Sequence, residues 1–332
     1  MKHAITVLVF LISGASGLAV AQGPPPQARS QEALEAVHQR LLPLFELAGV
    51  VFTDGDETTG RLVVGVVDRD VEGLVRDRLP ALGVFSQFVD VVETEPIVPV
   101  ITLHDRVRPV VAGLQIHFSQ YVCSLGFNAA RNNVAGYVTA AHCSTKQGSA
   151  DGTQYYQPLA SEFIGTEIAD PAFFKNKDGC PRGRNCRWSD SNFSDYANGV
   201  DFALGRIAKT TGANNGSLTI DGEFAITAEG VATVGQTVNK TGRTTGWTRG
   251  NVTRTNVNTG VSGSNIVLLG QVFVENTVQI VAGGDSGSPV FRIDGSTATL
   301  LGNLWGGNSS GTLFVYSPIA NIERELGLLT TH

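Results

Sequence analysis

From about Val110 onward, short runs rich in Val, Ile, Thr and Phe alternate with clusters of Gly, Asn, Ser and Asp. The runs at 114–118, 136–139, 202–207, 231–238, 267–274 and 297–304 follow this pattern. Short strands punctuated so regularly build a sandwich or barrels. The 39 glycines, with 16% charged and 42% hydrophobic residues, describe a turn-rich globular protein rather than a disordered or coiled-coil one. An all-β architecture is the expectation. Near the end, Ser317-Pro318 precedes Ile319, Ile322 and Leu326, with Gly327 after them. Cap, first-turn proline, apolar stripe and stop predict a short C-terminal helix on the outside.

The first third of the chain reads differently, and 332 residues leave room for two or three domains. Met1-Lys2-His3, the apolar run 4–11 and Ala19-Val20-Ala21 have the form of a secretory signal over 1–21. Gly23-Pro24-Pro25-Pro26 is a stiff linker. Leu34, Val37, Leu41, Leu44 and Ala48 then recur at helical spacing, with Ser30 as cap and Pro43 as kink. Strands at 50–52 and 62–67 flank a turn at Asp54-Gly55, before a helix at 70–79 and a strand at 88–92. Residues 22–109 thus predict a small α/β module, ending in the extended linker Glu95-Pro96-Ile97-Val98-Pro99.

Most of the formal charge of −6 lies ahead of residue 110. The nearly neutral remainder has no electrostatic footprint for nucleic acid, and Arg182, Arg184 and Arg187 read as a solvated loop. No stretch after the signal reaches the length of a membrane span. A secreted, extracellular protein is expected, in which disulfides are permissible. Its four cysteines allow three pairings.

The chemistry points to Gly283-Gly284-Asp285-Ser286-Gly287-Ser288-Pro289-Val290. A serine hydroxyl needs a base within reach and donors aimed at the developing oxyanion. The flanking glycines let the amides of Gly284 and Ser286 point into one small space. Upstream, Thr139-Ala140-Ala141-His142-Cys143 offers a base, and Asp201-Phe202-Ala203-Leu204 an acid at the start of a strand-like run. Asp195 is the nearest rival for the acid but lacks that run.

These motifs, in the order His, Asp, Ser, resemble the signature of the chymotrypsin-like serine proteases. Cys123-Ser124-Leu125-Gly126-Phe127 and Thr241-Gly242-Arg243-Thr244-Thr245-Gly246 are similar to stretches of the bacterial branch that includes the streptogrisins and alpha-lytic protease. The likeness covers roughly 110–332. It implies two six-stranded Greek-key barrels, at 110–222 and 223–332, behind a prosegment that aids folding and then inhibits. It implies His142, Asp201 and Ser286 as catalytic triad, Gly284 and Ser286 as oxyanion hole, and disulfides Cys123 with Cys143 and so Cys180 with Cys186. Arg243 would neutralise the buried Asp285, and Leu304, Trp305, Gly306 and Gly307 would bind substrate as an added strand.

Several departures accompany the likeness. Leu304 stands where many relatives carry a serine hydrogen-bonded towards the acid. Asn303 stands where glutamate-specific relatives carry a histidine. Ile280-Val281-Ala282 brings no carboxylate to the pocket before the scissile bond, so an apolar preference is expected. The connection 144–199 is long, and reads as a solvated surface loop with a lid or extra subsite as the alternative. The leading expectation is a monomeric secreted serine endopeptidase made as a precursor, acting on protein or peptide substrates and needing no cofactor. A catalytically silent binding protein on the same fold, and an esterase, are the competing classes.

Overall fold

The computed structural model describes residues 26–332, so the expected signal at 1–21 lies outside the described residues. The chain divides between Pro99 and Val100 into two compact units. In the first, the strands Val50–Asp56, Arg61–Val66 and Val89–Glu93 form one sheet, the first pair antiparallel and the second parallel. The helix Asp70–Arg78 makes the crossover that a parallel pair requires. Leu41, Leu44, Leu62, Val64, Val75 and Leu79 fill the core beneath it.

Two local expectations shift in this unit. The α-helix Pro26–His38 gives way to a 3₁₀ segment, Gln39–Glu46, that contains Pro43. Proline lacks the amide for the α pattern, and its ring would strike the carbonyl four residues earlier, so the α-helix stops just before that point. The hairpin turn lies at 57–60 rather than at Asp54-Gly55, which belong to the strand. Asp56 Oδ1 accepts from the amides of Thr58 and Thr59, and Gly60 takes a φ of 67° to close the turn.

The second unit is β throughout except for short helical turns and the helix Ile319–Leu326. Six antiparallel strands close a ring: Thr237–Gly242 pairs with Gly246–Gly260, which pairs with Ile266–Glu275, then Leu313–Pro318, Thr297–Gly307 and Pro289–Asp294, which returns to Thr237–Gly242. Closure removes the exposed edges that an open sheet would carry. This barrel encloses Val238, Val252, Val274, Val290, Leu301 and Phe314.

The other sheet has eight strands rather than six. Three of them, Gln154–Tyr156, Phe163–Ala169 and Asn192–Tyr196, come from the 144–199 connection, which is therefore framework rather than a solvated loop. Within it Arg187 is fully buried against Asp170, not solvated. The sheet boundary also departs from 222/223: Phe202–Thr210 and Ile220–Glu229 join the sheet of the closed barrel. Residues 100–109 belong with this unit, Leu103 being buried with its amide on the Leu218 carbonyl. The C-terminal helix buries Ile319, Ile322 and Leu326, and Gly327 follows with a φ of 86°.

Candidate active site

His142 follows the strand Val134–Thr139, in the turn Ala141–Cys143. Its neighbour on the sheet is Asn192–Tyr196, in the register Asn192↔Thr139. That register sets residue 190 beside residues 141 and 142. Ala141 donates its amide to the Asp190 carbonyl, and His142 donates its own to Asp190 Oδ1 at 3.0 Å. The imidazole Nδ1 lies 2.6 Å from Asp190 Oδ2. An ionised acceptor there fixes the proton on Nδ1 and leaves Nε2 able to accept.

The acid paired with His142 is therefore Asp190, and the expectation of Asp201 is corrected. Asp201 sits exposed at the start of Phe202–Thr210, a strand committed to the other sheet through Ile220–Glu229, and its carbonyl accepts from Val110 N. Asp195 faces elsewhere and accepts from the Thr166 amide. The apolar run after Asp201 marked a strand, but strand-forming strength says nothing of which sheet the strand joins. The signal that separates the two acids is spacing: Asp190 stands just ahead of the strand that pairs with the histidine's own.

Burial opposes charge on both partners, yet the pair overcomes it. Asp190, whose side chain is 3% exposed, is held below the usual carboxylate range against that burial by His142 and by nearby Arg187. Burial works to lower the His142 value, but the Asp190 charge and hydrogen bond outweigh it and raise the ring above 6.5. The segment bearing the acid is anchored on several sides. Arg187 donates to Asp170 Oδ1 and to the Ser191 carbonyl. The amides of Trp188 and Ser189 donate to Glu325 of the C-terminal helix. Asn303 reaches the Asp190 carbonyl at 3.4 Å, and the Asp190 amide donates to Ser317 Oγ.

Ser286 lies in the glycine turn, which the strands around it clamp. Ser124 donates its amide to the Ser286 carbonyl, Gly287 donates to the Leu304 carbonyl, and Ser288 donates both amide and hydroxyl to the Asp285 carbonyl. Gly287 has a φ of 91°, and a Cβ there would stand 2.1 Å from the Ser124 carbonyl oxygen. Only glycine fits. Among the described residues neither Gly284 N nor Ser286 N donates to another protein atom. Ser286 makes no hydrogen bond to the imidazole among the described residues, but both line a cavity of about 380 Å³ with Gly284 and Cys123. Catalytic bonds are commonly loose without substrate.

Asp285 has no exposed side-chain surface, and its partner is Lys240 rather than Arg243. Lys240 Nζ, equally buried, stands 3.2 Å from Asp285 Oδ2. The Thr244, Thr245 and Ala282 amides and the Thr245 hydroxyl complete the carboxylate's shell. Arg243 instead donates Nε to Gln115 Oε1. The reason is strand parity. Lys240 and Gly242 share one face of their strand, and Gly242 supplies the gap, since a Cβ there would meet Asp285 Oδ1 at 2.6 Å.

Leu304, Gly306 and Gly307 line a pocket of about 390 Å³ with Ser286, Gln279, Val281 and Ala282, and no charged side chain lines it. Trp305, Gly306 and Gly307 line a groove of about 550 Å³ that reaches His142 and Asp190. The strand Thr297–Gly307 pairs with Pro289–Asp294 as far as Asn303, and Leu304 still bonds the Gly287 amide and the Ser288 carbonyl, so beyond Leu304 that edge is unpaired. An extended peptide could add there. The cysteines pair as Cys123–Cys143 and Cys180–Cys186. No cluster of three or more potential metal-ligating side chains occurs among the described residues, and none of their helices is long and apolar enough to cross a membrane.

Over 199 residues, 59% of its length, the chain is 33% identical to streptogrisin-A of Streptomyces griseus, and the match covers 52% of that protein. The chain thus spans about half the length of that relative. Over 189 residues, 57% of this chain and 88% of the relative, it is 32% identical to serine protease 2 of Streptomyces fradiae. Among solved structures, Thermobifida fusca protease A is similar at 25% identity and a TM-score of 0.48, over 67% of this chain and 99% of that one. No family model matches the chain.

Proposed function

Because the chain belongs to the chymotrypsin-like serine proteases, in the bacterial branch that holds the streptogrisins, we propose that it is a serine endopeptidase using Ser286, His142 and Asp190. The observation that carries this reading is the 2.6 Å pairing of His142 Nδ1 with buried Asp190, on a ring that shares a cavity with Ser286. Ser286 Oγ attacks the peptide carbonyl while His142 Nε2 takes its proton. The amides of Gly284 and Ser286 receive the oxyanion, and the imidazolium formed is held by Asp190. His142 then protonates the leaving amine, and water repeats the sequence on the acyl-enzyme.

Val281, Ala282 and Leu304 in the pocket beside Ser286 support an apolar side chain before the scissile bond, with Gln279, Asn308 and Ser309 as its polar lining and no charge to favour an ionised one. Substrate backbone would pair with Trp305, Gly306 and Gly307 along the free edge. The separate α/β unit supports a prosegment within a secreted precursor, and the buried Lys240–Asp285 pair means that no newly made amino terminus is needed to neutralise Asp285.

A fluorophosphonate probe tests the enzyme reading against the silent binding protein. Labelling of the wild type that disappears in Ser286→Ala is expected; equal absence in both would overturn it. N-terminal sequencing of the stable active form tests the prosegment. A start beyond residue 93 is expected, and a start near Gln22 would mean a permanent domain.

A further inference from the structure

Leu304 leaves a gap in the acid's surroundings. It is 1% exposed within the closed barrel's core and has no donor to offer Asp190. The carboxylate nevertheless has a further donor. Gln147, one turn beyond His142 in the chain, donates Nε2 to Asp190 Oδ1 at 2.9 Å.

Gln147 is held there by the turn it belongs to. The next amide, Gly148 N, donates to Asp170 Oδ2, and Asp170 is bound through Oδ1 to buried Arg187. Gly148 has a φ of 91°, and a Cβ on it would stand 2.5 Å from the Phe173 ring. The turn is therefore specified by glycine and pinned to the same Arg187 that grips the Ser191 carbonyl beside the acid. Gln147 also lines the groove that contains His142, Asp190 and Trp305.

We propose that Gln147 is a positioning residue, which holds the Asp190 carboxylate towards His142 Nδ1 by fixing its other oxygen. This rests on the endopeptidase reading above. The charges that face Asp190 are His142 in front and Arg187 behind, with Asp170 and Glu325 around Arg187. Gln147 adds a neutral donor to that set, which draws charge from the carboxylate without competing for His142. Its loss leaves Asp190 a stronger acceptor, so the imidazolium is favoured and His142 titrates at higher pH.

The test uses Gln147→Met, which keeps length but removes the donor, and Gln147→Glu, which keeps shape but sets a second carboxylate against the first. Two readouts are followed: the His142 titration by NMR, and kcat and KM on a short ester. Both variants should raise the His142 midpoint, Gln147→Glu the more. Loss of a hydrogen bond to a charged group should lower kcat by about tenfold with little change in KM. Unchanged titration and kcat in both variants would overturn the proposal. If the wild type neither hydrolyses the ester nor takes a fluorophosphonate, the endopeptidase reading falls, while the titration still decides whether Gln147 acts on the Asp190–His142 pair.

Discussion

Lys240 has no exposed side-chain surface, and a charge so placed is tolerable only while its partner is present. Lys240→Met should therefore destabilise the protein by about 3–5 kcal/mol, because Asp285 would remain buried without a counter-charge. Denaturant melts of the variant check this, and a loss below about 1 kcal/mol would mean the surrounding amides suffice. The residue was hard to find by reading. A lysine inside a strand is ordinarily solvated, whereas the neighbouring arginine in G-R-T-T-G carried the family likeness. Ser286, His142, Cys123 and Cys143 could be picked out because each stands inside a motif, and the pairing of Cys180 with Cys186 then followed by elimination. Asp190 was not, since its role is set by which strand pairs with which, a non-local fact.

At the scale of elements, the 144–199 connection is the part the sequence concealed. Its Gly, Asn and Asp content resembles loop, yet its strands flank Asp190 and hold a buried polar layer. Within that layer Glu167, 2% exposed, accepts from Asn192 Nδ2 and from the Asp151 amide, and burial pushes its carboxyl to about 7. A carboxyl raised from 4.5 favours folding most at pH below 4.5, and that advantage is lost as pH rises through about 7. Glu167→Gln removes the penalty. Relative to wild type, it should leave the melting temperature nearly unchanged at pH 4 and raise stability by up to about 3 kcal/mol above pH 8. Calorimetry at both pH values checks the sign; an equal difference at both would contradict it. The α/β unit was more legible, its strands and second helix falling near their expected places, because alternation and helical spacing are local signals.

For the whole molecule, the all-β character followed from regular punctuation, and the closed six-stranded ring agrees with the family likeness. The division after Pro99 falls at the linker that the prolines marked, but the eight-stranded sheet did not follow, since sheet membership depends on contacts between distant segments. The proposed triad would impose one pH dependence on activity. His142 must be neutral to act as base, and its value is raised above 6.5, so kcat/KM should climb with pH through a midpoint above that of a free imidazole. The stability contribution has the opposite sense: it is complete below about 6.5 and is lost as pH passes the raised value. An acid limb centred below pH 6 would contradict the pairing with Asp190.

The account depends most on which carboxylate orients His142, and the comparison of Asp190→Asn with Asp201→Asn decides it directly. With both variants folded by melting temperature, kcat on an ester or peptide should fall by about 10⁴-fold in Asp190→Asn and stay within about threefold of wild type in Asp201→Asn. The reverse ranking would contradict the account.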